Sequence, residues 1–182
     1  ADTIRFNMKG IESMQKKVFQ LLVDNTSGVL SRIAGLFSRR GYNIESITAG
    51  VTADPRYTRI TIVTSGDDEI LDQIEKQVGK LIDVRDIKVL EPDESVFREL
   101  ILIKIKVTAE NRLSVIGLVD SFKARVVDVS KESLTVEMEV KGISDSKIDN
   151  FIHLLDGYEI LELARTGLIG LGRGTKNVTY LP

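Results

Sequence analysis

Residues 18–47, VFQLLVDNTSGVLSRIAGLFSRRGYNIESI, decide the fold of this chain. An apolar run, Val18 to Val23, ends at Asp24-Asn25-Thr26-Ser27-Gly28, and Val29, Leu30, Ile33, Ala34 and Phe37 then recur at helical spacing up to Gly41. The first pattern predicts a strand, the second an amphipathic helix, and the glycine its C-terminal stop. A strand that turns straight into a helix leaves the first N–H groups of that helix facing out of the end of the sheet. Gly28, without a Cβ, lets a small molecule approach them, and the helix dipole favours an anion there. Asn25 adds an amide that can accept from an ammonium and donate to a carboxylate. No nucleophile, acid or metal ligand of obvious use stands beside this recess. It reads as a receptor for the two ends of a free α-amino acid rather than a catalytic centre.

Outward from that stretch, Tyr42 to Thr52 predicts a second strand, Asp54-Pro55-Arg56 a turn and Tyr57 to Thr64 a third strand. Ser65-Gly66-Asp67-Asp68 opens a second helix with the stripe Ile70, Leu71, Ile74, Val78, and Ile82 to Leu90 forms a fourth strand. The order βαββαβ is that of a ferredoxin-like unit, an antiparallel sheet with both helices on one face. After the charged linker Glu91-Pro92-Asp93-Glu94-Ser95 the plan repeats. Leu100 to Val107 is a strand, Leu113, Ile116, Val119 and Phe122 mark a helix, and Arg125–Val129 and Leu134–Val140 are strands. Ser144 caps a helix carrying Ile148, Phe151, Ile152 and Leu155, and Ile160 to Ile169 is the last strand. The expected organisation is α+β: a loose leader over 1–16, one unit over 17–91, a linker over 92–96 and a second unit over 97–182.

Leu30-Ser31-x-Ile33 aligns with Leu113-Ser114-x-Ile116, an echo of duplication. On that alignment Asn111 stands for Gly28 and Val126 for Asn43, so the second unit keeps the scaffold without the recess and suits assembly or coupling.

Composition removes several function classes. With 42% hydrophobic and 29% charged residues the chain can build a core. Neither half carries the basic excess that phosphate backbones require, there being 13 basic and 13 acidic residues up to Glu91. Nucleic acid is therefore a poor partner. The absence of Cys and the single His, His153, argue against thiolate chemistry, a histidine metal site or a triad. No apolar run approaches a membrane span, and the leader lacks the apolar core of a signal peptide, so a cytoplasmic location is expected.

Taken alone, the loop Asn25 to Leu30 has a plainer reading: Thr26 or Ser27 caps the helix and Gly28 eases the turn. Asn43 favours a ligand, because a polar amide beside Ile44 and Ile47 needs a partner if buried, although exposure on an edge strand would also explain it. The run GLIGLGRGTK over 167–176 has glycines but lacks the Lys and the following helix of a phosphate loop, and reads as a flexible or packed tail. Asp67-Asp68-Glu69 complements a helix dipole, and Arg39-Arg40 and Lys16-Lys17 are solvated charges. An acylphosphatase-like enzyme would need an arginine in the loop Asp24–Gly28, which has none. A free-standing amino-acid sensor acting on transcription would need a basic or helix-turn-helix surface, which is not evident.

The runs DNTSGVLSRIAGLFSRRGYNIESITAG and RITIVTSGDDEILDQIEKQVGKLIDV closely resemble the ACT domain of acetolactate synthase (acetohydroxyacid synthase) regulatory subunits. The likeness continues through REL at 98–100, FKARVVDVS at 122–130 and ELARTGLIGLGRGTK at 162–176, and so spans nearly everything from Lys17 on. The resemblance implies a subunit without catalysis of its own. Such subunits activate a larger enzyme that joins two pyruvates, or pyruvate and 2-oxobutyrate, and confer feedback inhibition by valine. Thiamine diphosphate, Mg2+ and FAD are then expected on that partner and no cofactor here. The resemblance further implies a homodimer through ACT domains, with effector between the loop of one copy (Asn25, Thr26, Ser27, Gly28, Val29, Leu30) and Asn43 and Ile44 of the other.

Overall fold

In the computed structural model, residues 15–143, 146–176 and 178–179 are described. The backbone clusters into two units, the first ending at Leu90 and including Thr179, the second running from Glu91 to Val178. The first 14 residues of the expected leader and the expected cap Ser144 lie outside the described residues.

The first unit is β1 (Gln15–Asp24), α1 (Val29–Arg40), β2 (Asn43–Val51), β3 (Tyr57–Gly66), α2 (Asp68–Val78) and β4 (Val84–Val89). Its antiparallel sheet has the order β2-β3-β1-β4. Alternation in β1 turns Phe19, Leu21 and Val23 to the helices, where Ile60 and Ile62 of β3 join them. α1 answers with Val29, Ile33, Leu36 and Phe37, and α2 with Leu71, Ile74 and Val78, each set a stripe at helical spacing. Burying each such side chain contributes about 1.5–3 kcal/mol, so this shared apolar seam holds both helices on one face. α2 is capped by Asp67, whose carboxylate accepts from the Ile70 N–H at 2.8 Å. β4 begins two residues later than Ile82, because Val84 N–H closes a turn on the Leu81 carbonyl and Ile82 is left 87% exposed.

The second unit is β5 (Ser95–Lys106), α3 (Arg112–Ser121), β6 (Arg125–Val129), β7 (Ser133–Lys141), α4 (Lys147–Leu154), β8 (Ile160–Arg165) and β9 (Ile169–Gly172). Sheet order is β6-β7-β5-β8, with β9 also on β5. Its core joins Ile101, Ile103 and Ile105 of β5 to Val136 and Met138 of β7 under Val115, Val119 and Phe151. The two units are thus both ferredoxin-like, as the order of elements predicts.

Three local expectations need correction. The stretch 92–96 is not a free linker: Pro92–Glu94 forms one 3-10 turn, and Ser95 and Val96 already pair with Gly172 and Leu171. The last strand is two strands, broken where Gly167 takes φ 86°. The glycine-rich run is therefore partly a packed strand along β5. Finally, the alignment of the two units slips by one. Gly41 and Lys123 both adopt the left-handed conformation after their helices, and the sheet register skips Glu45 in β2 and Val127 in β6. These marks place Arg125, not Val126, opposite Asn43. The cause is a shorter span from helix start to left-handed residue in the second unit.

Candidate functional site

The β1–α1 loop leaves the sheet at the end where β3 begins, and it is fastened on both sides. Asn25 N–H donates to the Arg56 carbonyl at 2.7 Å, and its Nδ2 donates to the Pro55 carbonyl at 2.8 Å. One amide N–H of Asn25 thus holds the loop to the β2–β3 turn and is not available to a ligand. On the other side Arg85 grips Asp24 through two bonds, 2.7 and 2.6 Å, and Asp24 N–H donates to the Asp83 carbonyl at 2.9 Å. The hydrogen bond from Arg85 holds the Asp24 carboxyl below its usual range and outweighs the opposing effect of burial.

Gly28 is the N-cap of α1, at φ 85° and ψ −6°, and no side chain caps the helix. The simple capping role open to Thr26 and Ser27 is therefore not taken up; both are exposed. The first helical bond runs from Arg32 N–H to the Gly28 carbonyl at 2.9 Å, so the N–H groups of Val29, Leu30 and Ser31 have no acceptor within the helix. Two of these residues, Val29 and Leu30, line a cavity of about 240 Å³ together with Val23, Asp24, Asn25 to Gly28, Thr58 and Ile60. Val23, Val29 and Ile60 are buried and give the recess an apolar floor, while Leu30 is 47% exposed at its mouth. Helix N–H groups without an acceptor beside an aliphatic floor can take a small molecule that is anionic at one end and apolar at the other.

Thr58 and Ile60 are absent from the expected set. The antiparallel register that puts Thr58 opposite Val23 and Ile60 opposite Leu21 is the signal that finds them.

Asn43 and Ile44 are not brought to this recess within the chain. β2 and β1 are both antiparallel to β3, and Asn43, Ser65 and Lys16 lie level across the sheet. At ~3.3 Å per residue, the loop opens roughly 30 Å further along. Asn43 is exposed on the edge strand, and Ile44 packs on the core of its own unit. Tyr42 and Arg40 are remote for the same reason; the Tyr42 ring stands edge-on to Phe37 at 6.0 Å.

In the second unit the matching loop is closed by its own side chain. Asn111 Oδ1 accepts from the Thr108 N–H at 2.7 Å, and Arg112 reaches the Lys131 carbonyl. No cluster that could hold a metal ion occurs among the described residues. No helix among them is long and apolar enough to cross a membrane.

The fold and its order of elements define a protein of the ACT class. Residues 19–86 match the acetohydroxyacid synthase small-subunit-like ACT domain, and residues 98–174 match the small subunit of acetolactate synthase. The chain belongs to the family of acetolactate synthase small subunits, the non-catalytic members of that enzyme. A probable acetolactate synthase small subunit of Methanothermobacter thermautotrophicus is 46% identical over 162 residues, covering 88% of this chain and 95% of the relative. The isozyme 3 small subunit of Salmonella typhimurium is 43% identical, with 88% and 98% covered. The crystal structure of the acetolactate synthase small subunit from Thermotoga maritima superposes with a TM-score of 0.79 at 37% identity, covering 88% of this chain and 99% of that one. Family membership gives the chain a regulatory role beside a large catalytic subunit.

Proposed function

We propose that this chain activates the catalytic subunit of acetolactate synthase and makes it sensitive to valine, which binds in the recess at the start of α1. The observation that carries the reading is the separation of the recess from Asn43 within one chain. The recess has helix N–H groups without an acceptor and an apolar floor, while Asn43 is exposed at the far end of an edge strand.

A second copy resolves the separation. Two β2 edges pairing antiparallel about a two-fold axis form a symmetric contact of the commonest type. Centred on Ile47, the exposed apolar midpoint of the strand, that pairing sets Asn43 of one copy opposite Val51 of the other. Val51 is level with Thr58, and Thr58 with Val23, both in the recess wall. Asn43 of the second copy thus reaches the end of the sheet where the loop opens. Valine's carboxylate meets the free N–H groups, its side chain the floor of Val23, Val29 and Ile60, and its ammonium the second copy's amide. A ligand held by both copies biases one arrangement of the dimer over another, through its differential affinity for the two. A coupling of about 1–3 kcal/mol suffices to change partner activity several-fold. Thiamine diphosphate, Mg2+ and FAD belong to the catalytic partner in this reading, and the pair works in the cytoplasm.

The test is calorimetric titration of the purified chain with valine, leucine and isoleucine, joined to an assay of acetolactate formation by the large subunit with and without this chain. The reading expects saturable binding at one site per chain and an activity that this chain raises and valine lowers. Absence of binding by all three amino acids would overturn it.

A further inference from the structure

We infer that Arg32 is a carboxylate-holding residue of the recess, presented to it by Asp83; the inference rests on the amino-acid reading above. Long side chains on a helix lie back over the preceding turn, and Arg32 does so over the first turn of α1. Its Nη1 comes within 3.0 Å of the place a Cβ on Gly28 would occupy. The missing side chain at Gly28 therefore serves two ends: it permits the left-handed backbone, and it admits a guanidinium beside Gly28, itself part of the recess wall.

Asp83 fixes that placement. Its Oδ2 accepts from Arg32 Nε at 2.6 Å, and its own side chain is only 14% exposed, so it acts as a post on the turn before β4. The backbone of the same residue accepts from Asp24, tying the post to the loop. Arg32 spends its Nε on this bond, and a guanidinium carries further N–H groups in a fork that fits a carboxylate. The local charge points the same way. α1 has no acidic residue in its first turn, while α2 places Asp68 and Glu69 there beside its Asp67 cap. Helix end and guanidinium converge at Gly28; Asp83 pairs with Arg32, and Asp24 in the recess wall pairs with Arg85, so the helix end is the positive charge left without a partner. An incoming carboxylate supplies that partner.

The experiment compares valine with valinamide, which has the same side chain and ammonium but no carboxylate, by calorimetry on the full chain and its Arg32→Gln, Arg32→Lys and Asp83→Asn variants. The wild-type chain should prefer valine strongly. Arg32→Gln should weaken valine at least tenfold and narrow its lead over valinamide, Arg32→Lys should restore part of that lead, and Asp83→Asn should give a smaller loss. Thermal unfolding of each variant shows that the fold persists. Wild-type affinity for valine in Arg32→Gln, or an equal loss of valine and valinamide, overturns the assignment of Arg32 while leaving the effector reading intact. A wild-type chain that binds no branched-chain amino acid ends both.

Discussion

Replacing Gly28 with aspartate should weaken effector binding sharply in a chain that still folds. The residue sits at φ 85°, where an ordinary L-residue costs roughly 1–2 kcal/mol and Asp is among the best tolerated. A Cβ there meets Arg32 Nη1 at 3.0 Å, and the end of a flexible side chain can swing aside. The new carboxylate then stands where the ligand's own must go. Two unit negative charges ~4 Å apart repel by about 1 kcal/mol in bulk water and about 4 kcal/mol at an effective dielectric of ~20. At ~1.4 kcal/mol per decade, this half-open recess should lose between about fivefold and about 700-fold in affinity. Gly28→Ala carries the backbone strain and the Arg32 contact without the charge, and is the control. Calorimetry should show measurable valine binding by the alanine variant and far weaker binding by the aspartate variant. Each kcal/mol of strain should lower the melting temperature of the first unit by about 4–8 °C in both. Activation of the catalytic subunit should survive, since it depends on contact rather than effector. Equal valine affinities for the two variants would refute the placement of the carboxylate at Gly28.

Other consequences concern the second unit and pH. Glu99 is buried at 9% exposure and takes two bonds from Arg165, at 2.9 and 2.8 Å. Arg165 is half exposed and can rehydrate, so Glu99→Gln should cost about 1–3 kcal/mol, less than breaking a fully buried pair; urea unfolding measures it, and an unchanged midpoint would contradict the role given to the pair. Valine binding in that variant should be normal. The recess holds no group that titrates near neutrality: His153 lies in the second unit, and the hydrogen bond from Arg85 lowers the Asp24 pKa. A lowered carboxyl contributes its stability in full above its ordinary value of about 3.9 and loses it only as pH falls through the lowered one. Valine affinity should therefore be level between about pH 6 and 8, and a tenfold drift across that window would show an unrecognised titrating contact.

The fold was legible because its elements announce themselves locally. Phe19, Leu21 and Val23 alternate, Ile33, Leu36 and Phe37 recur at helical spacing, and Gly41 ends the helix with a left-handed residue. Half of the candidate site was legible for the same reason, since Asn25 to Leu30 are contiguous. What the chain does not spell out is register. Thr58 and Ile60 enter the recess only once β3 is paired with β1, and the distance of Asn43 from the loop follows only from two successive pairings. Arg32 looks like any solvated helix residue until its guanidinium is seen over Gly28. The glycine-rich run beyond Gly167 hid a strand, because β9 is held by pairing to Ser95–Arg98 more than by its own side chains.

The central claim is that each site is built from two copies, loop from one and Asn43 from the other. Mixing two variants that should each bind weakly, Gly28→Asp and Asn43→Ala, tests it directly. In a freely exchanging mixture half the dimers are hybrids, and each hybrid has one site with neither substitution, so calorimetry should recover about one quarter of the wild-type sites at wild-type affinity. No recovery on mixing, with exchange confirmed by mass, would mean that the site does not cross between chains.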